Sequence, residues 1–204
     1  MLNLYAENSI NVLAFHVIND LQNPTFQGIM QVISTLSKYT MFPFYFIVFV
    51  LGAWESCKQV KANNNTLYVS YCRQMKEVAI SLIAAYIVYL LWVTGLKHVL
   101  HMPRPFAVLP EGTFYVQDYI KNAEDPYASL PSGHAAFIMM VLTALWSILN
   151  KLGRNLGIFL LLTVSISRVA LGVHFPFDIM VSWLLSLIIT SLTVKASKAL
   201  IRLP

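Results

Sequence analysis

The sequence predicts an all-α, polytopic transmembrane helix bundle of about five spans, with an N-terminal amphipathic helix. Three observations carry this. The 204 residues are 57% hydrophobic and only 11% charged, with a mean hydropathy of +0.64, far from an average soluble domain. Apolar runs approaching the roughly 20 residues that cross a bilayer core recur from residue 26 onward. The charges gather in the connections between those runs. The length suits one domain, 1–204.

In such a chain the net charge of +5 is no nucleic-acid footprint, and no nucleic-acid partner is expected. Cys57 and Cys72 fall in one polar connection and imply no disulfide framework. Residues 1–20 lack a basic n-region and carry Glu7, Asn11, Asn19 and Asp20, unlike a cleavable signal.

Taken in order, Ile10, Leu13, Ala14, Val17 and Leu21 recur at helical spacing, with Asn11, His16, Asn19 and Asp20 elsewhere on the turn. This predicts an interfacial helix within 1–25 rather than a span. Asn23-Pro24-Thr25 ends it and offers a cap for the next helix. Residues 26–54 read as one crossing, kinked where Lys38 and Pro43 interrupt it. Residues 55–77 are polar, with Asn63-Asn64-Asn65 at their centre, and read as a loop. The uncharged run 78–96 is the clearest span. Residues 98–132 form the longest non-apolar connection, with Arg104, four acids (Glu111, Asp118, Glu124, Asp125) and the aromatics Phe114, Tyr115, Tyr119 and Tyr127. Long connections in compact domains are functional or disordered, and the aromatics favour ordered packing. Further spans follow at 134–149, 155–172 and 176–194, with a basic turn at Lys151–Arg154 and a basic tail of Lys195, Lys198 and Arg202.

Five crossings put residues 97–134 and 168–178 on one side of the membrane. The opposite side receives Lys58, Lys61, Arg73, Lys76, Lys151, Arg154, Lys195, Lys198 and Arg202. The positive-inside rule makes that second side cytoplasmic, so the first faces outward.

Three separate segments deliver polar groups to this outward side: Lys97 and Arg104, then Pro131-Ser132-Gly133-His134, then Arg168, His174 and Asp178. Ionisable residues at the membrane edge are functional candidates, although basic side chains there often only snorkel. His174 and Asp178, four apart beside Pro176, would share a helix face, where a carboxylate fixes an imidazole tautomer. Three cations suit phosphate oxygens. The backbone N–H groups of Ser132 and Gly133, at the start of a span, suit an anion. Two histidines can divide nucleophilic and acid–base work, in an order the spacing leaves open. No acid cluster suited to magnesium accompanies them, so metal-independent chemistry without a cofactor is expected.

Lys97-x6-Arg104-Pro105, then Pro131-Ser132-Gly133-His134, then Ser167-Arg168-x5-His174-x3-Asp178 resembles the three-part signature of the type 2 phosphatidic acid phosphatase family. The blocks match in order, and the family-like region runs from about Val78 to the last span. The resemblance implies that His174 attacks phosphorus to give a phosphohistidine, with Asp178 orienting it. His134 would protonate the leaving oxygen, and Lys97, Arg104, Ser132, Gly133 and Arg168 would hold the phosphate. It implies an integral membrane lipid phosphatase of bacterial type, in an inner membrane with its site facing the periplasm. Undecaprenyl diphosphate, phosphatidylglycerophosphate, phosphatidate and phosphorylated lipid A are the expected substrate classes. The alternatives are a lipid phosphotransferase using the same site and a non-enzymatic lipid transporter.

Overall fold

The computed structural model describes residues 5–6, 8–21, 23–62 and 68–201. Glu7, Asn63-Asn64-Asn65 and Arg202 lie outside the described residues. The described chain is helical: α1 (Ile10–Asn19), α2 (Pro24–Leu36), a 3-10 turn (Tyr39–Met41), α3 (Phe42–Ala62), α4 (Tyr68–Leu100), α5 (Pro105–Val108), α6 (Asp118–Ala123), α7 (Gly133–Leu145), α8 (Lys151–Ala170) and α9 (Pro176–Ile201).

Among the described residues, four stretches are long and apolar enough to cross a membrane: Tyr39–Lys61, Val69–Val108, Lys151–Ala170 and Pro176–Ile201. The fifth expected crossing is α7, which is only 13 residues long. Its direction follows from its neighbours. Gly133 and Arg168 line one cavity, and the 20 residues of α8 cover about 30 Å. The chain from Gly133 must therefore reach the far end of the bundle before α8 returns.

The core packs α7 against α4, α8 and α9. Tyr89, Phe137, Met140 and Val164 are buried at its centre. Small hydroxyl residues let α9 come close: Ser182, Ser186 and Thr190, four apart, are all buried. Ser186 donates to the Ala136 carbonyl at 2.7 Å, and Ser81 of α4 meets Ser197 of α9 at 2.8 Å. Where no water competes, such interhelical bonds and small side chains are the means of association.

The expected single crossing over 26–54 is two helices. Pro43 sits in the first turn of α3, where its missing N–H breaks no helical bond, so it marks a start and not a kink. The expected loop over 55–77 is also largely helix, since α3 runs to Ala62 and α4 begins at Tyr68. These extensions bring Cys57 and Cys72 together as a disulfide, with Cα atoms 5.8 Å apart. Their position in one polar connection had implied no disulfide framework; it is instead the neck of a helical hairpin.

Helix α1 is covered by the bundle on the side the sequence marked as polar. Asn11 and Asn19 are buried with Val12 and Phe15. Ile10, at 81%, and Val17, at 72%, are exposed. Asn11 accepts from the Phe177 N–H at 2.9 Å. The Asn19 amide donates to the carbonyls of Tyr115 and Ala170, each at 3.0 Å. The apolar stripe is thus the outer face, suited to lipid. Asn23 caps α2 as its position implied, accepting from the Phe26 N–H at 2.7 Å.

Candidate active site

The polar ends of α4, α7 and α8 meet the 3-10 turn, the end of α6 and the turn before α9 in a cavity of about 500 Å³. Lys97, Arg104, Gly133, His134, Arg168 and His174 all line it. Three segments far apart in sequence therefore do converge, and Asp178 lies directly behind them, 0% exposed.

Arg104 organises the site and is 1% exposed. Its Nε donates to the Asp125 carbonyl at 2.8 Å, and Nη1 donates to the Val173 carbonyl at 2.9 Å. Nη2 donates to Glu124 Oε2 at 2.7 Å. Nη1 also lies 3.4 Å from His174 Nε2. A guanidinium only donates, so this contact leaves the lone pair on Nε2 and the proton on Nδ1. Burial, followed by the charges of Arg104, Arg168 and Lys97, holds His174 well below the ordinary imidazole range. The ring is neutral at neutral pH, with its basic nitrogen toward the arginines. Backbone geometry fixes its approach. Gly172 has φ +73°, and a Cβ there would stand 2.2 Å from the Tyr115 carbonyl oxygen, so only glycine fits the turn that delivers His174.

Behind the ring, the expected direct hold by Asp178 is longer than a hydrogen bond: His174 Nδ1 and Asp178 Oδ2 are 3.8 Å apart. Ser129 bridges them. Its hydroxyl donates to Asp178 Oδ2 at 2.6 Å and lies 3.5 Å from Nδ1. The Phe175 N–H donates to the same carboxylate oxygen at 2.9 Å, and Tyr5 OH donates to Oδ1 at 3.1 Å. Burial and the nearby Asp178 charge push the Tyr5 phenol up, keeping it a donor.

The Ser132 backbone N–H, expected to face an anion, donates instead to Ser182 Oγ at 2.7 Å. Ser182 in turn donates to the Asp178 carbonyl, tying the start of α7 to α9. Ser132 itself is fully buried and does not line the cavity. Its Oγ, His134 Nε2 and Arg168 Nε are buried polar atoms with no partner among the described residues. Arg168 is otherwise held, donating from Nη1 to Ser34 Oγ and from Nη2 to Glu124 Oε1 at 3.2 Å.

Glu124, Ser129, Ser34 and Tyr5 were missed by sequence reasoning. Glu124 had one signal, an acid on a cationic face, but no spacing rule pairs it with Arg104 and Arg168. Burial would raise its pKa, yet Arg104, Arg168 and Lys97 together hold it below the usual carboxylate range. Its two oxygens bridge the two arginines as two oxygens of a phosphate would.

A helical membrane bundle whose one end gathers two histidines, three cations and a buried carboxylate has the groups that phosphoryl transfer requires. Residues 76–202 match the model of the PAP2 superfamily, and the chain belongs to that superfamily. It is a membrane phosphatase of this type. It shares 26% identity over 186 residues with an undecaprenyl-diphosphatase from Sulfolobus acidocaldarius, covering 91% of this chain and 77% of the relative. Its fold is similar to the crystal structure of LpxE from Aquifex aeolicus, with TM-score 0.69 and 22% identity over 93% of this chain and 98% of that one. It also resembles a PAP2-type phosphatidylglycerolphosphate phosphatase from Bacillus subtilis, with TM-score 0.66 and 15% identity over 98% of this chain and 92% of that one.

Proposed function

We propose that this protein hydrolyses a lipid diphosphate or phosphate monoester at the outer face of the membrane, through a phosphohistidine on His174. The observation that carries this is the set of unpaired buried atoms on Ser132, His134 and Arg168, beside a neutral His174. Buried polar atoms need partners, and a phosphoryl group supplies acceptors for the hydroxyl and the guanidinium. His174 Nε2 attacks phosphorus. His134 gives a proton to the leaving oxygen and later takes one from the attacking water. Lys97, Arg104 and Arg168 hold the equatorial oxygens, and the Gly133 N–H lies at the start of α7 beside them. Asp178 acts on His174 through Ser129.

Phosphate release by the purified protein tests the reading. The substrates would be undecaprenyl diphosphate, phosphatidylglycerophosphate, phosphatidate and phosphorylated lipid A in detergent. Release from at least one without an added acceptor is expected; turnover only with an acceptor lipid or sugar would make the protein a transferase. The Sulfolobus relative favours the diphosphate.

Glu124 yields a second prediction. An incoming phosphate must compete with its carboxylate for Arg104 and Arg168. Glu124→Gln keeps the shape and removes the charge, so inhibition by inorganic phosphate should tighten about threefold to tenfold. Weaker inhibition in the variant would show that Glu124 positions the arginines instead.

The charge asymmetry assigns the Cys57–Cys72 end to the cytoplasm. A disulfide there is the observation favouring the reverse, because reducing compartments rarely retain one. A tag at residue 62 should be reachable from the cytoplasm only. Labelling by an impermeant reagent in intact cells would invert the topology and turn the active site inward.

A further inference from the structure

We propose that Lys38 is the subsite for the second phosphate of a lipid diphosphate, and so selects diphosphate over monoester substrates. This rests on the phosphatase reading above.

Lys38 stands alone in the first apolar stretch, where a cation needs a reason. It occupies the break between α2 and the 3-10 turn, with extended backbone (φ −64°, ψ 138°). The turn is fixed in place: the Met41 N–H donates to the Lys38 carbonyl at 3.0 Å, and Tyr86 of α4 donates to the Tyr39 carbonyl at 3.1 Å. From there Lys38 lines the same cavity as both histidines. Its wall adjoins the start of α7. The Tyr39 ring lies 6.2 Å from the Tyr89 ring, and the Tyr89 hydroxyl donates to the Gly133 carbonyl at 2.9 Å. His134, the residue that serves the leaving oxygen, is the next along the chain.

The charges divide accordingly. Arg104 and Arg168 share Glu124, whereas Lys38 forms no ion pair among the described residues and remains available to a ligand. Lys38 also falls outside residues 76–202, the region that the superfamily model matches. When the terminal phosphorus of a diphosphate is attacked, the His174 Nε2–P bond forms and the bridging P–O bond breaks. The bridging oxygen leaves as a lipid monophosphate, taking a proton from His134. Water then cleaves the P–N bond, returning its proton to His134 and freeing inorganic phosphate. The leaving group carries a phosphate only if the substrate is a diphosphate; a monoester expels an alcohol with no charge for Lys38 to meet.

The test compares kcat/KM for a polyprenyl diphosphate and for the monophosphate of the same alcohol, in detergent, for the unsubstituted protein, Lys38→Ala and Lys38→Arg. In parallel, calorimetric binding of methylenediphosphonate is compared with that of inorganic phosphate. The diphosphate-to-monophosphate ratio should fall about tenfold in Lys38→Ala and recover to within about threefold in Lys38→Arg. The preference for methylenediphosphonate over phosphate should weaken by a similar factor. Equal losses on both substrates, or an unmoved binding preference, would overturn the Lys38 assignment and leave the phosphatase reading standing. An unsubstituted protein that turns over neither polyprenyl lipid but releases phosphate from phosphatidylglycerophosphate, phosphatidate or lipid A would likewise overturn the Lys38 assignment alone, and release from none of these lipids would overturn the lipid phosphatase reading.

Discussion

His174→Ala is expected to lower phosphate release by at least about 10⁴-fold, the scale of loss when a covalent nucleophile is removed. No second group can take over. Arg104 Nη1 lies 3.4 Å from His174 Nε2, and a guanidinium is no nucleophile. His134, beside the same cavity, is needed for the leaving oxygen. The truncation removes a buried ring, so thermal unfolding and size-exclusion in detergent must accompany the assay, with His174→Gln as the better-filling control. Chemical trapping supplies an independent readout. The unsubstituted enzyme quenched during turnover of labelled substrate should carry acid-labile, base-stable phosphate, absent from both variants. Turnover by folded His174→Ala within about tenfold of the unsubstituted rate would overturn the mechanism.

The main groups of the site were legible because each sits in a short block of fixed spacing at the edge of an apolar run. Charge is conspicuous there, and crossing parity places all three blocks on one side. Their supporting partners were not legible, for a physical reason. Ser129 lies between His174 and Asp178 only after α9 packs on the segment leading into α7. Ser34 meets Arg168 across 134 positions of sequence. No local period encodes such pairs. The same holds for α1: the pattern marked an amphipathic helix, but Asn11, accepting from the Phe177 N–H, and Asn19, donating to the Tyr115 carbonyl, hold its polar face inward. Over the expected kinked crossing at 26–54, Lys38 does mark a break, whereas Pro43 interrupts nothing. Pro43 begins a new helix because proline suits a first turn, and Lys38 stays in the break because the cavity is there.

Arg104→Lys is expected to lower kcat/KM by roughly 10²–10³-fold although the charge is kept. A charge-assisted hydrogen bond contributes about 1.5–3 kcal/mol, and lysine cannot reproduce the planar fork. Arg104 uses three nitrogens on two segments: the Asp125 carbonyl and the Glu124 carboxylate on one loop, and the Val173 carbonyl on the other. A single ammonium reaches at most part of this set. The consequence falls on geometry more than on charge, because Val173 precedes His174 and Asp125 belongs to the loop carrying Glu124. The loss should therefore appear mainly in kcat, as the nucleophile is mispositioned. Arg168→Lys provides the contrast. Among the described residues the Arg168 guanidinium donates to the side chains of Ser34 and Glu124 and leaves Nε without a partner, so its replacement should act mainly on KM. Both variants should unfold within a few degrees of the unsubstituted protein, measured by thermal denaturation in the same detergent. If Arg104→Lys raised KM and spared kcat, Arg104 would be a phosphate clamp alone, and the positioning of His174 would have to come from Gly172 and the α8–α9 turn.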